Sequence, residues 1–152
     1  MNHPPLAISL PDLAAMGDFG ARVASRLVPG DVVALDGTLG AGKTTLARHI
    51  LAACGYEGEV PSPTFTIIET YDPPATRLPI VHADFYRLED PGELRELGLD
   101  DYREGAALIA EWPAKAGGFG QEAQCLSILL EIADQGRKAI VEGGPAWQSR
   151  MP

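Results

Sequence analysis

Val32-Val33-Ala34-Leu35-Asp36-Gly37-Thr38-Leu39-Gly40-Ala41-Gly42-Lys43-Thr44-Thr45-Leu46 is the stretch that decides the fold. Its first four residues are apolar and follow the turn residues Pro29-Gly30-Asp31, which predicts a short buried strand. Gly37–Thr44 then matches the pattern G-x-x-x-x-G-K-[ST] in full. A helix is predicted from Lys43 to Cys54, with Leu46, Ile50 and Leu51 facing inward and Gly55 ending it. Strand, glycine loop and helix in this order form a phosphate-binding arrangement. Glycines let backbone N–H groups turn toward an anion and approach it closely. The helix start adds its dipole and its unpaired amides. Gly37, Thr38, Leu39, Gly40, Ala41, Gly42, Lys43, Thr44 and Thr45 are therefore the expected nucleotide-binding residues. Lys43 would place a charge at the β and γ phosphates, Thr44 a hydroxyl at Mg²⁺, and Thr45 a bond to the α phosphate.

A second acidic group is expected at the end of a neighbouring strand to help hold Mg²⁺. Two residues qualify. Glu111 follows the apolar run Ala107–Ala110, and Asp84 follows Ile80–Ala83. Glu111 is the better strand-end acid for the metal, and Asp84 is the alternative. Thr64 and Thr66 lie in a stretch stiffened by Pro61 and Pro63, where nucleotide switches often carry a hydroxyl that senses the γ phosphate. His82 reads first as a structural strand residue. Trp112 reads as a core aromatic whose place beside Glu111 gives it a candidate site role. No Asn-Lys-x-Asp sequence for reading guanine occurs, which favours ATP over GTP.

Around this centre the chain reads as one α/β domain over residues 1–142, a mixed or mostly parallel sheet flanked by helices. A first helix is expected from Ser9 to Leu27, capped by Ser9 with Pro11 in its first turn. Thr64–Tyr71 and Leu78–His82 are expected to pair loosely as a hairpin, and Leu126–Ile132 with Lys138–Val141 to form a closing one. Asp90-Pro91 is expected to start a helix bearing Leu94, Leu97 and Tyr102. From Gly143 no pattern is readable, so residues 143–152 are expected to form a disordered tail. A net charge of −9 argues against direct gripping of nucleic acid. No apolar run is long enough to cross a bilayer, and the N-terminus carries no secretory pattern. Cys54 and Cys125 match no metal spacing and read as reduced thiols of a cytoplasmic protein.

The chain resembles the TsaE (YjeE) family of bacterial P-loop ATPases, which work in threonylcarbamoyladenosine modification of tRNA. The resemblance runs from about Ser9 to Val141. It rests on the glycine loop, Pro61-Ser62-Pro63-Thr64-Phe65, His82-Ala83-Asp84-Phe85-Tyr86-Arg87-Leu88 and Glu111-Trp112-Pro113, in that order. Many relatives have Asp where this chain has Thr38. The resemblance implies Mg²⁺ held by Thr44 and Glu111, a role in hydrolysis for Asp84, a site role for Trp112, and a conformationally sensitive segment at Ser62–Thr64. It also implies TsaD- and TsaB-like partners, tRNA handled only through that complex, and weak ATP turnover by the chain alone. Two other readings share the motif. A small-molecule kinase would need an arginine-bearing lid, but Ala114–Gln121 contains one Lys and no Arg. A binding module without turnover would have no use for two strand-end acids.

Overall fold

The computed structural model describes residues 4–61, 68–90 and 92–152. Thr64 and Thr66, with most of the stretch from Ser62, lie outside the described residues, as does Pro91. Among the described residues, seven strands form one sheet in the order β1-β7-β6-β2-β5-β4-β3. They are β1 (Leu6–Leu10), β2 (Val32–Gly37), β3 (Ile68–Tyr71), β4 (Ile80–Asp84), β5 (Ala107–Glu111), β6 (Cys125–Ile132) and β7 (Arg137–Gly143). The central pairs β6–β2, β2–β5 and β5–β4 are parallel, and the outer pairs are antiparallel. The expected mixed α/β architecture is thus observed, as are the closing hairpin and, over Ile68–Tyr71 against Ile80–Ala83, the described part of the other one.

Two layers of side chains cover the sheet. On one face α1 (Leu13–Arg26) and α2 (Lys43–Ala53) pack Met16, Phe19, Val23, Leu46, Ile50 and Leu51 against Val33, Leu35, Ile109, Leu126 and Leu130. Gly20 allows α1 close to α2, since a Cβ there would stand 2.8 Å from His49 Cβ. On the other face Phe85, Leu88, Leu99 and Phe119 cover Ala34, Val81, Leu108 and Ala110. Cys54 and Cys125 are buried free thiols. Among the described residues, no helix is long and apolar enough to cross a membrane.

Three expectations are corrected. Ser9 does not cap a helix; it pairs with Lys138 inside β1, and α1 begins only at Leu13. Asp12 is the cap, accepting a hydrogen bond from Ala15 N at 2.8 Å. Its carboxylate satisfies an amide at the helix start, and Pro11 serves to end β1 instead. The helix after Asp90 is broken at Gly98, whose φ of 73° suits glycine, into α3 (Glu93–Leu97) and α4 (Leu99–Arg103). The segment after Gly143 is ordered. Trp147 is fully buried and donates from Nε1 to Gln124 O at 2.8 Å. Arg150 lies over the Trp147 ring and forks onto Asp31 at 2.6 and 2.7 Å. A buried carboxylate such as Asp31 requires a partner, and the end of the chain supplies it.

Candidate active site

β2 runs buried to Leu35 and leaves the sheet at Gly37, whose φ is 141°. A Cβ on Gly37 would meet Leu130 O at 2.5 Å, so only glycine fits. Gly40 and Gly42 also have positive φ, at 79° and 106°. The loop closes on itself where Ala41 N donates to Thr38 O at 3.1 Å. Thr38 and Leu39 lie on its exposed outer side, whereas Ala41 is buried. α2 then starts at Lys43, with Thr44 and Thr45 in its first turn.

Lys43 is buried at the loop mouth. Its Nζ donates to Gly37 O at 2.6 Å and Thr38 O at 2.9 Å. The same ammonium stands 4.1 Å from the centroid of the Trp112 ring. Burial pushes the Lys43 pKa down, opposed by the carboxylates of Glu111, Asp36 and Asp84. Lys43 is thus a desolvated cation facing three acids.

Parallel register places the two strand-end acids side by side, Asp84 opposite Glu111. Glu111 is buried and fixed at both oxygens. Oε1 accepts from Thr44 Oγ1 at 2.7 Å, and Oε2 stands 2.6 Å from His82 Nε2. Thr44 and Glu111, the two expected Mg²⁺ ligands, are therefore in direct contact, and His82 holds the second oxygen of Glu111. Asp84 is only half-buried and accepts a bond from Tyr86 N at 3.0 Å. Burial raises its pKa and Glu111 adds to the rise, while the Tyr86 amide, His82 and Lys43 oppose it.

Trp112 takes a left-handed backbone conformation, φ 55° and ψ 53°, which is costly for a residue with a Cβ. Its N–H donates to Leu35 O at 3.2 Å, and its ring lies 5.0 Å from that of Tyr86. The turn thereby carries the indole back over Lys43. The sequence motif supplied no expectation for Tyr86 or for Arg137, whose guanidinium reaches the back of the loop. A hairpin arginine has no spacing relation to a motif 97 residues away, and only the sheet order brings the two together.

Hard oxygen donors, a hydroxyl and a carboxylate, converge at Thr44 and Glu111. They suit Mg²⁺, which binds through one or two protein oxygens and otherwise through phosphates and water. A loop with three glycines at positive φ and a buried lysine suits the phosphates of a nucleotide.

A family model described as "Threonylcarbamoyl adenosine biosynthesis protein TsaE" matches residues 10–140. The chain belongs to the TsaE family. It is 40% identical over 134 residues to the tRNA threonylcarbamoyladenosine biosynthesis protein TsaE of Haemophilus influenzae, covering 84% of this chain and 83% of that protein. The TsaE protein of Synechocystis is 36% identical over 120 residues, 76% of this chain and 74% of its own. Among solved structures, Bacillus subtilis YdiB superimposes with a TM-score of 0.74 at 28% identity, covering 98% of this chain and 92% of that one. The TsaE match takes in the glycine loop, both strand-end acids, β6 and the start of β7 with Arg137.

Proposed function

We propose that this TsaE-family chain binds ATP with Mg²⁺ at the Gly37–Thr44 loop and hydrolyses it in support of threonylcarbamoyladenosine formation in tRNA. The observation that carries the reading is the 2.7 Å contact of Thr44 with Glu111 beside the buried Lys43. The loop amides and the start of α2 bind the phosphates, and Lys43 turns from the loop carbonyls to the phosphate oxygens. Mg²⁺, held by Thr44 with Glu111, would neutralise the charge that develops on the phosphates. Asp84, one strand from Glu111, holds the attacking water and receives its proton as the water oxygen bonds to the γ phosphorus and the bond from that phosphorus to the β–γ bridging oxygen breaks, with ADP as the leaving group. Its raised pKa makes it a better proton acceptor than an ordinary aspartate. Trp112 shields Lys43 from solvent on the open side. Thr64 is assigned to γ-phosphate sensing from its place in the sequence alone, in the stretch stiffened by Pro61 and Pro63.

The chain acts with TsaD- and TsaB-like subunits in the cytoplasm, and tRNA meets the complex rather than this acidic surface. Turnover by the chain alone is slow. A missing arginine finger costs about 10³–10⁵ in rate in related phosphoryl transfer, and a partner would complete the site. Calorimetric titration with ATP, with and without Mg²⁺, followed by phosphate-release assays with and without purified partners, tests the reading. Binding that needs Mg²⁺, with turnover raised by partners, is expected. Absence of nucleotide binding would overturn it. Phosphate transfer to a metabolite instead of water would establish the kinase alternative.

A further inference from the structure

We propose that Arg137 is a positioning residue for the nucleotide loop, holding the Gly40 and Ala41 carbonyls turned away from the phosphates. The inference rests on the proposed nucleotide binding at Gly37–Thr44 and concerns a residue from the opposite end of the chain. Arg137 Nε donates to Ala41 O at 3.0 Å, and Nη2 donates to Gly40 O at 3.0 Å. Nη1 donates to Gly136 O at 3.0 Å, which fixes the fork to its own hairpin. One planar guanidinium therefore grips two consecutive loop carbonyls.

A trans peptide unit points its C=O and its N–H in opposite directions. Binding Gly40 O from behind turns Ala41 N–H away from Arg137, where it closes the loop on Thr38 O. Binding Ala41 O turns Gly42 N–H away as well, at the residue that caps α2 immediately before Lys43. Carbonyls turned toward an anion would repel it, and two of them are held in the reverse direction. The guanidinium also sets a permanent positive charge behind a loop surrounded by Asp36, Asp84 and Glu111.

The hairpin that carries Arg137 is itself held firmly. Gly136 has a φ of 67°, and a Cβ there would stand 2.2 Å from Leu10 O. The turn therefore presses against the end of β1, and β6 and β7 pair along their lengths. A purely structural arginine would pin the hairpin to the loop without regard to what the loop binds.

The test compares Arg137→Ala, Arg137→Lys and Arg137→Gln with the unaltered chain, with Lys43→Ala as a reference. Each is titrated with ATP and ADP, and its thermal unfolding is recorded. Arg137→Lys keeps the charge but loses the fork. We expect all three folded Arg137 variants to lose affinity, on the order of ten-fold for Arg137→Ala. Ethylguanidinium in low millimolar amounts should restore part of the loss in Arg137→Ala and none in Lys43→Ala. Should Arg137→Ala not fold, Arg137→Lys and Arg137→Gln decide the matter by affinity. Affinities within two-fold of the unaltered chain in every folded variant, while Lys43→Ala binds poorly, would overturn the role of Arg137 and leave nucleotide binding standing. A lack of binding by the unaltered chain would instead remove the proposed function.

Discussion

His82 Nε2 stands 2.6 Å from Glu111 Oε2, and both side chains are buried. With Glu111 as a carboxylate, the imidazole N–H donates to one oxygen while Thr44 Oγ1 donates to the other. Replacing His82 by Ala leaves a buried oxygen without its donor and opens a void. We expect a loss of about 2–4 kcal/mol, read by urea denaturation. His82→Gln, which can still donate, should lose less. Equal losses in the two variants would show that the hydrogen bond contributes little.

Glu111→Gln removes the charge but keeps an oxygen beside Thr44. It should raise the Mg²⁺ concentration needed for tight ATP binding by about ten-fold and change metal-free binding little. Titrations of ATP at a series of Mg²⁺ concentrations measure this. A variant whose Mg²⁺ requirement is unaltered would return the metal role to Asp84.

Asp84→Asn should slow hydrolysis and, near neutral pH, stabilise the fold. Burial raises the Asp84 pKa above the usual aspartate value of 3.8, so the folded state binds the proton more tightly than the unfolded one. That contribution is fully present below 3.8 and is lost as pH rises through the raised value. The advantage of Asp84→Asn over the native chain should therefore grow from below pH 4 toward neutrality, and paired denaturation curves across that range check the direction. An advantage that shrinks as pH rises contradicts the assignment.

Arg150→Ala strands the Asp31 carboxylate, which is almost fully buried. Val28 N and Gln124 Nε2 still donate to it, at 2.8 and 3.2 Å. We expect a cost of about 2–3 kcal/mol, while ATP affinity at the distant loop is retained. Thermal unfolding together with a nucleotide titration separates the two effects.

Much of the site was legible because its chemistry depends on local order. The glycine pattern lies between a strand and a helix, and Glu111 and Asp84 each end an apolar run. Once β4 and β5 are parallel neighbours, the two acids must meet. Residues acting across the fold were not legible. Arg137 touches the loop from a hairpin, and Arg150 reaches Asp31 across 119 positions. Nothing in the sequence marks Trp112 for a backbone conformation that glycine normally takes. β1 was missed because its five residues are mostly exposed, and Pro11 next to periodic Leu13, Met16 and Val23 extended the apparent helix backward. Asp12, directly before that periodic run, was the readable cap.

The central strand β2 lies between β5 and β6, and Trp147 and Arg150 are anchored beneath its start. During synthesis, β2 and the glycine loop emerge long before either neighbour exists. They cannot acquire their final surroundings until the closing hairpin is made, and Asp31 waits longer still, for Arg150. Nascent chains of this protein should therefore remain open to chaperones and proteases until the closing hairpin clears the ribosome, so that the nucleotide loop forms late and the Asp31–Arg150 pair after it.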